Sequence, residues 1–189
     1  MTLLVGGARS GKSTIGQRLA AAAAGGQQVV VVVTADPSFA DEGSADPEMV
    51  DRIRAHRADR PTAWATVEAP IDLARALTDA GPTVLVDCVT VWLSNLMLGG
   101  ADDIELAGAV DVVATACAAR AGATIVITND VGSGIVPMEA LSRRFRDAHG
   151  RMNQRLAAVA DRSFLVVAGR LLELRDPIDH LPELTGIML

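Results

Sequence analysis

The residues best suited to chemistry stand near the amino terminus: Gly6-Gly7-Ala8-Arg9-Ser10-Gly11-Lys12-Ser13. They satisfy G-x-x-x-x-G-K-[ST] at each fixed position, directly after an apolar run and at the opening of a helical stretch. That context is what the physics needs. Glycines let successive backbone N–H groups turn inward around phosphate oxygens, and the positive end of the helix dipole adds to the attraction. Lys12 is placed to reach the β- and γ-phosphates, and the Ser13 hydroxyl to ligate Mg²⁺. The alternative is a glycine-rich turn that binds nothing; the agreement of pattern with context argues against it.

Three further groups carry chemical potential. Asp87 ends the apolar run Val84-Leu85-Val86. A carboxylate at the carboxyl end of a central strand lies where α/β folds place ligands, and it can hold Mg²⁺ through water. It would serve equally as a helix cap or a solvated strand end, and the upstream phosphate loop tips that balance toward function. His56 shares i, i+4, i+8 spacing with Arg52 and Arg60, which sets an imidazole among guanidiniums suited to phosphate. A neutral imidazole is a competent nucleophile toward phosphorus, and nearby arginines favour the neutral form. Met49, Ile53 and His56 are also spaced i, i+4, i+7, so His56 could instead finish a buried stripe. Spacing leaves both readings open. The segment Thr128-Asn129-Asp130-Val131-Gly132-Ser133-Gly134-Ile135-Val136-Pro137 is either a ligand-side loop or a turn that needs Gly and Asn for its backbone angles. Arg143, Arg144, Arg146, Arg151 and Arg155 crowd one later helix, the usual mark of a solvated face pairing with acids; contact of some with phosphate or a neighbouring subunit is the other reading.

These groups must be positioned by a sheet and its helices. Strands are expected over Thr2–Val5, Gln28–Val33, Trp64–Val67, Thr83–Asp87, Ala123–Thr128 and Ser163–Val167, the last closing the sheet. Helices are expected over Ser13–Ala24, from Asp46 to about Ala58, over Ile71–Ala80, from near Asp102 to around Ala121, and over Glu139–Asp161. Asp46-Pro47-Glu48 is a good helix start. Such βαβ alternation predicts a single-domain α/β fold: a mostly parallel sheet with helices on both faces, of the P-loop NTPase, RecA-like type. Residues from about 170 to 189 show no periodicity and read as a tail.

Composition agrees. Half of the 189 residues are hydrophobic and only 3% aromatic, the Val, Ala, Leu and Ile filling of a covered parallel sheet. The net charge of −6 argues against a nucleic-acid surface, so any bound anion needs a local device. Cys88 and Cys117 are the two cysteines, without metal-ligand spacing, and read as buried, reduced structural residues. No basic leader precedes an apolar stretch, and no run reaches the roughly 18 apolar residues of a membrane span. A cytoplasmic protein is the expectation.

Taken in order, these segments resemble the bifunctional adenosylcobinamide kinase/adenosylcobinamide-phosphate guanylyltransferase family of cobalamin biosynthesis. The likeness lies in the phosphate loop, in Glu48-Met49 through His56-Arg57-Ala58-Asp59-Arg60-Pro61, and in Trp64-Ala65-Thr66-Val67-Glu68. It continues in Val86-Asp87-Cys88-Val89-Thr90-Val91-Trp92-Leu93-Ser94-Asn95-Leu96, in Thr128 to Pro137, and in Arg144-Phe145-Arg146-Asp147 through Gly150-Arg151-Met152-Asn153-Gln154. The resemblance implies that His56 becomes guanylylated by GTP, and that GMP then passes to adenosylcobinamide phosphate. It implies nucleotide contacts at Gly6 to Ser13, at Thr34, Ala35 and Asp36, at Arg57, Ala58, Asp59 and Arg60, and at Glu68 and Asp87. It further implies a kinase reaction on adenosylcobinamide with Mg²⁺ and ATP or GTP, and a homo-oligomer, a trimer among the options. One stretch departs from the family pattern: the connection over residues 37–47 is long and acidic. Two other readings fit a phosphate loop alone, a small-molecule kinase with a structural His56 and a nucleotide-switched binding subunit.

Overall fold

Val29 to Val33 are five consecutive valines, all buried. A β-branched run with no polar alternation fits only a strand covered on both faces. Around it a computed structural model, which describes residues 1–35, 50, 51, 54 and 60–176, builds a seven-stranded sheet. The strands are β1 (Thr2–Gly6), β2 (Val29–Val33), β3 (Ala65–Glu68), β4 (Thr83–Asp87), β5 (Ala123–Asn129), β6 (Arg162–Val167) and β7 (Arg170–Leu174), in the order β3-β2-β4-β5-β1-β6-β7. Five described helices join them: α1 (Lys12–Ala24), α2 (Leu73–Asp79), α3 (Val89–Leu98), α4 (Asp103–Ala119) and α5 (Ala140–Ala157). All strand pairs are parallel except β6 with β7. The expected single α/β domain is what the chain forms.

The period-2 alternation of the strands divides the core in two. Leu3, Val30, Val32, Val84, Val86 and Val126 face the layer of α2 to α5, packing against Leu73, Trp92, Leu93, Met152 and Leu156. Leu4, Val31, Leu85, Ile125 and Ile127 face the opposite side, where Ala20 and Ala24 of α1 lie.

Two features differ from the sequence expectation. Two helices, not one, stand between β4 and β5. The missed one, α3, buries Val89, Thr90, Trp92, Leu93 and Met97; a helix covered on most sides loses the polar stripe that would betray its period. Second, β6 does not close the sheet. Ala168 and Gly169 take φ of 49° and 70°, a tight two-residue hairpin connection, and β7 pairs antiparallel with β6 from Ser163↔Leu174 to Val167↔Arg170. Every β7 residue is exposed, so no alternation of burial marks it in sequence. Residues 170–174 are therefore sheet rather than tail. As expected, α5 runs unbroken through Gly150, and α4 starts on a capping box at Asp102. Asp102 Oδ1 accepts from the N–H groups of Ile104 and Glu105, both at 2.8 Å, and Glu105 Oε2 accepts from the Asp102 N–H.

Val50, Asp51 and Arg54 are helical, within the helix expected from Asp46 to about Ala58. Met49, Arg52, Ile53, the 37–47 connection and residues 177–189 lie outside the described residues.

Candidate nucleotide site

The phosphate loop is built by tight packing on both flanks. A Cβ on Gly6 would lie 2.6 Å from the Val166 carbonyl oxygen and 2.7 Å from Ser10 Oγ. Gly11, with φ of +94°, would bring one to 3.2 Å from Gly169 Cα. Only glycine tolerates both the close approach and the left-handed angle. The β6–β7 turn braces the loop, since the Gly169 N–H donates to the Ser10 carbonyl at 2.8 Å. Gly11 caps α1 with no side chain, and the first turn of α1 contains no acid. Its leading N–H groups therefore carry the partial positive charge that favours an anion. Lys12 is 8% exposed, and its Nζ donates to the Gly7 carbonyl at 2.9 Å, which folds the ammonium into the cradle. Ser10 Oγ is buried without a hydrogen-bond partner, the kind of orphan that concentrates at functional loops.

Strand register gathers the other predicted groups on the same edge. Val33 pairs with Glu68 on one side and with Asp87 on the other, and Asp87 with Ile127. Six parallel strands thus present their carboxyl ends together, where α/β sheets bind ligands. Glu68 lies four strand spacings from the phosphate-loop strand, about 19 Å, with β2, β4 and β5 between them. Asp87, half-buried, stands two spacings from β1, and Ser13, also half-exposed, opens the first turn of α1. Their oxygen donors suit a hard divalent cation. Among the described residues no group of three or more His, Cys, Asp or Glu forms a protein-only metal cage. A cation here would be completed by phosphate oxygens and water.

Comparison with known proteins decides which fold family this edge belongs to. Residues 2–174 match the family described as "Cobinamide kinase / cobinamide phosphate guanyltransferase". The "Bifunctional adenosylcobalamin biosynthesis protein CobP" of Pseudomonas aeruginosa is 40% identical over 170 residues, covering 88% of this chain and 92% of the relative. The CobU proteins of Salmonella typhimurium and Escherichia coli, carrying the same bifunctional description, are 39% and 36% identical over 184 residues, covering 89% of this chain and 96% of each relative. This chain belongs to the cobinamide kinase/cobinamide phosphate guanyltransferase family.

Within this family member the remaining predicted residues fall into three groups. Thr34 is fully buried, and its Oγ1 donates to the Cys88 carbonyl at 2.6 Å; the side chain ties β2 to the end of β4. Ala35, next after Thr34, is half-buried, and so is Arg60, which precedes β3. Asp36, His56, Arg57, Ala58 and Asp59 lie outside the described residues. Of the later arginines, Arg144 pairs with Asp103 at 2.6 Å and Arg155 with Asp111 at 2.5 Å. Arg143 donates to the carbonyls of Pro137 and Met138, and Arg146 lies 3.5 Å from Asp147. The Arg144 and Arg155 pairs bridge α5 to α4, and the Arg143 and Arg146 contacts stay on α5 and the residues just before it.

Sequence reasoning gave no role to several polar residues that hold this edge. Asn95 Nδ2 donates to the carbonyls of Thr34 at 2.8 Å and Pro70 at 3.0 Å, and Trp92 Nε1 to that of Ile71 at 2.8 Å. A Trp and an Asn inside an apolar run are the available signal, because buried polar handles require partners. Cys117 is buried, its thiol pushed up to about 11 by desolvation, which keeps it protonated and inert. Cys88 is only partly covered, not enclosed as expected. No helix among the described residues is long and apolar enough to cross a membrane.

Proposed function

We propose that this family member phosphorylates adenosylcobinamide with ATP or GTP and then transfers GMP from GTP to adenosylcobinamide phosphate, through a GMP adduct on His56. The observation that carries the reading is an uncapped helix start, with Lys12 folded into it, on the same sheet edge as Asp87 and Glu68. Such an edge accepts an extended nucleoside triphosphate, phosphates in the loop and nucleoside toward β2 and β3.

In the kinase step the cradle amides and Lys12 hold the β- and γ-phosphates in line with the corrinoid hydroxyl. Mg²⁺ would be held by Ser13 and, through water, Asp87; when bound it neutralises phosphate charge. In the second reaction a neutral His56 nitrogen attacks the α-phosphorus of GTP. A P–N bond forms, the α–β bridging P–O bond breaks, and pyrophosphate leaves with the electron pair. The phosphate oxygen of adenosylcobinamide phosphate then attacks the same phosphorus. A P–O bond forms, the P–N bond breaks, and the imidazole recovers its electron pair. Thr34, Ala35, Asp36, the Arg57 to Arg60 segment and Glu68 are the nucleotide contacts of this reading. A homo-oligomer, a trimer among the options, and a cytoplasmic setting belong to it as well.

The test is incubation with GTP and Mg²⁺ followed by intact-mass measurement. A gain of one GMP, absent in His56→Ala, is expected. No adduct, with phosphorylation of adenosylcobinamide intact, would leave a kinase with a structural His56.

A further inference from the structure

One buried titratable group near the carboxyl edge is not used by that chemistry. His149, on α5, is 1% exposed and lies beneath the end of β5. Its Nε2 is 3.0 Å from Thr90 Oγ1 and 3.4 Å from Thr128 Oγ1, and its Nδ1 is 3.5 Å from Asn153 Nδ2.

The donors assign themselves. Thr128 Oγ1 donates to Asn153 Oδ1 at 2.7 Å, and Asn153 Nδ2 donates to the Asn129 carbonyl at 3.0 Å. Nδ1 of His149 faces that same amide nitrogen, so it is the acceptor, and Nε2 carries the hydrogen toward Thr90. Thr90 Oγ1 in turn accepts the Asn129 N–H at 2.9 Å. Both peptide groups of Asn129 are therefore gripped by side chains, the N–H from α3 and the carbonyl from α5.

Position explains why this is needed. The last β4–β5 pair is Asp87↔Ile127, whereas β1 and β5 stay paired to Gly6↔Asn129. Asn129 lies two residues past the point where β4 turns into α3, and Thr90 stands in for the missing strand. The next residue, Asp130, donates its N–H to the Gly6 carbonyl at 3.1 Å, at the base of the phosphate loop.

We propose that His149 is a positioning residue of the nucleotide site: through Thr90 and Asn153 it holds the Asn129–Asp130 end of β5 against the phosphate loop. This rests on reading that edge as the nucleotide site. Supporting groups that fix a reactive loop commonly matter about 10- to 100-fold in activity without touching substrate.

The test compares His149→Leu, which cannot donate to Thr90, with His149→Gln, whose Nε2 can. Amide hydrogen exchange of the unliganded protein is the first readout. In His149→Leu, exchange at residues 129–130 and 7–11 should rise about tenfold or more, with β2 and β3 unchanged. For the GTP-consuming reaction, kcat should fall about 10- to 100-fold with nucleotide KM within about twofold, and His149→Gln should restore both readouts to within about threefold. Unchanged local exchange in His149→Leu, a uniform rise across the sheet, or a glutamine variant no better than leucine would overturn the proposal. Should His149→Leu fail to fold, Thr90→Val removes the same link from its other end at constant shape, with the same expectations. Exchange needs no corrinoid or nucleotide. Absence of turnover in the unmutated protein would therefore count against the functional reading, while exchange still judges the positioning.

Discussion

The two edges of the sheet solve the same problem with different materials. At both, strands end and buried backbone groups need partners. At the carboxyl edge, Lys12 of the phosphate loop apart, the partners are neutral: Thr34, Thr90, Asn95 and Asn153, with His149 behind Thr90. At the amino edge they are charged. Arg120 donates to the carbonyls of Leu77, Ala80 and Gly81 and to Thr124 Oγ1, and the amino terminus pairs with Asp161. A charged clamp is strong where nothing else has to bind. Beside a phosphate loop, fixed neutral dipoles hold the backbone without competing for the anion or for Lys12. One edge is thus built for chemistry and the other for stability.

Four measurements would break or sharpen that contrast. The largest effect belongs to Lys12→Ala, expected to lower kcat of both activities by about a thousandfold while the melting temperature stays put, since its ammonium donates to a carbonyl of the cradle itself. A comparable loss of stability would show that the lysine is a structural clamp like Arg120.

Next comes the acid limb of stability. Burial depresses His149 to about 4 from an ordinary 6.5, with Asp130 opposing the shift. A depressed folded value means the native state prefers the neutral ring. Its contribution is complete above about pH 6.5 and is lost as pH falls through 4, amounting to about 3 kcal/mol at most. Denaturant titrations from pH 7 to 4 should show this loss, and His149→Gln should flatten it; an unchanged slope in the variant would assign the acid sensitivity elsewhere.

At the opposite edge, Arg120→Met should cost about 2 kcal/mol of stability through its lost charge-assisted bonds, with kcat unaltered at a temperature where the variant is folded. A fall in kcat at full folding would erase the division between the edges. Smallest is Arg155→Ala, which removes an exposed pair with Asp111 and should change stability by less than about 1 kcal/mol. A larger change would mean the arginine face of α5 is more than solvated surface.

Much of this molecule is legible without coordinates, for particular reasons. β2 is readable because five valines in a row have one home. The capping box at Asp102 and Glu105 is a pattern of neighbours, and so is the start of α4. Legibility fails where a signal is erased by its surroundings. α3 is apolar on nearly every side, and β7 is exposed at every position. The side chain of Thr34 illustrates a subtler gap: the residue stands at the expected strand end, yet its hydroxyl serves Cys88, a partner 54 residues away. Register, not spacing, made that pairing.

What the sequence determined by itself is the phosphate cradle. Its eight residues are contiguous, and glycine angles, a helix start and one lysine make it recognisable, because the residue types it needs are chain neighbours; the bracing by Val166, Gly169 and Asp130 is added by the fold. What the tertiary structure alone decided is the support beneath it. His149 meets Thr90 across 59 residues and Thr128 across 21, and such hydrogen bonds exist only once strand order and helix packing have brought the chain segments within 3 Å or so of one another.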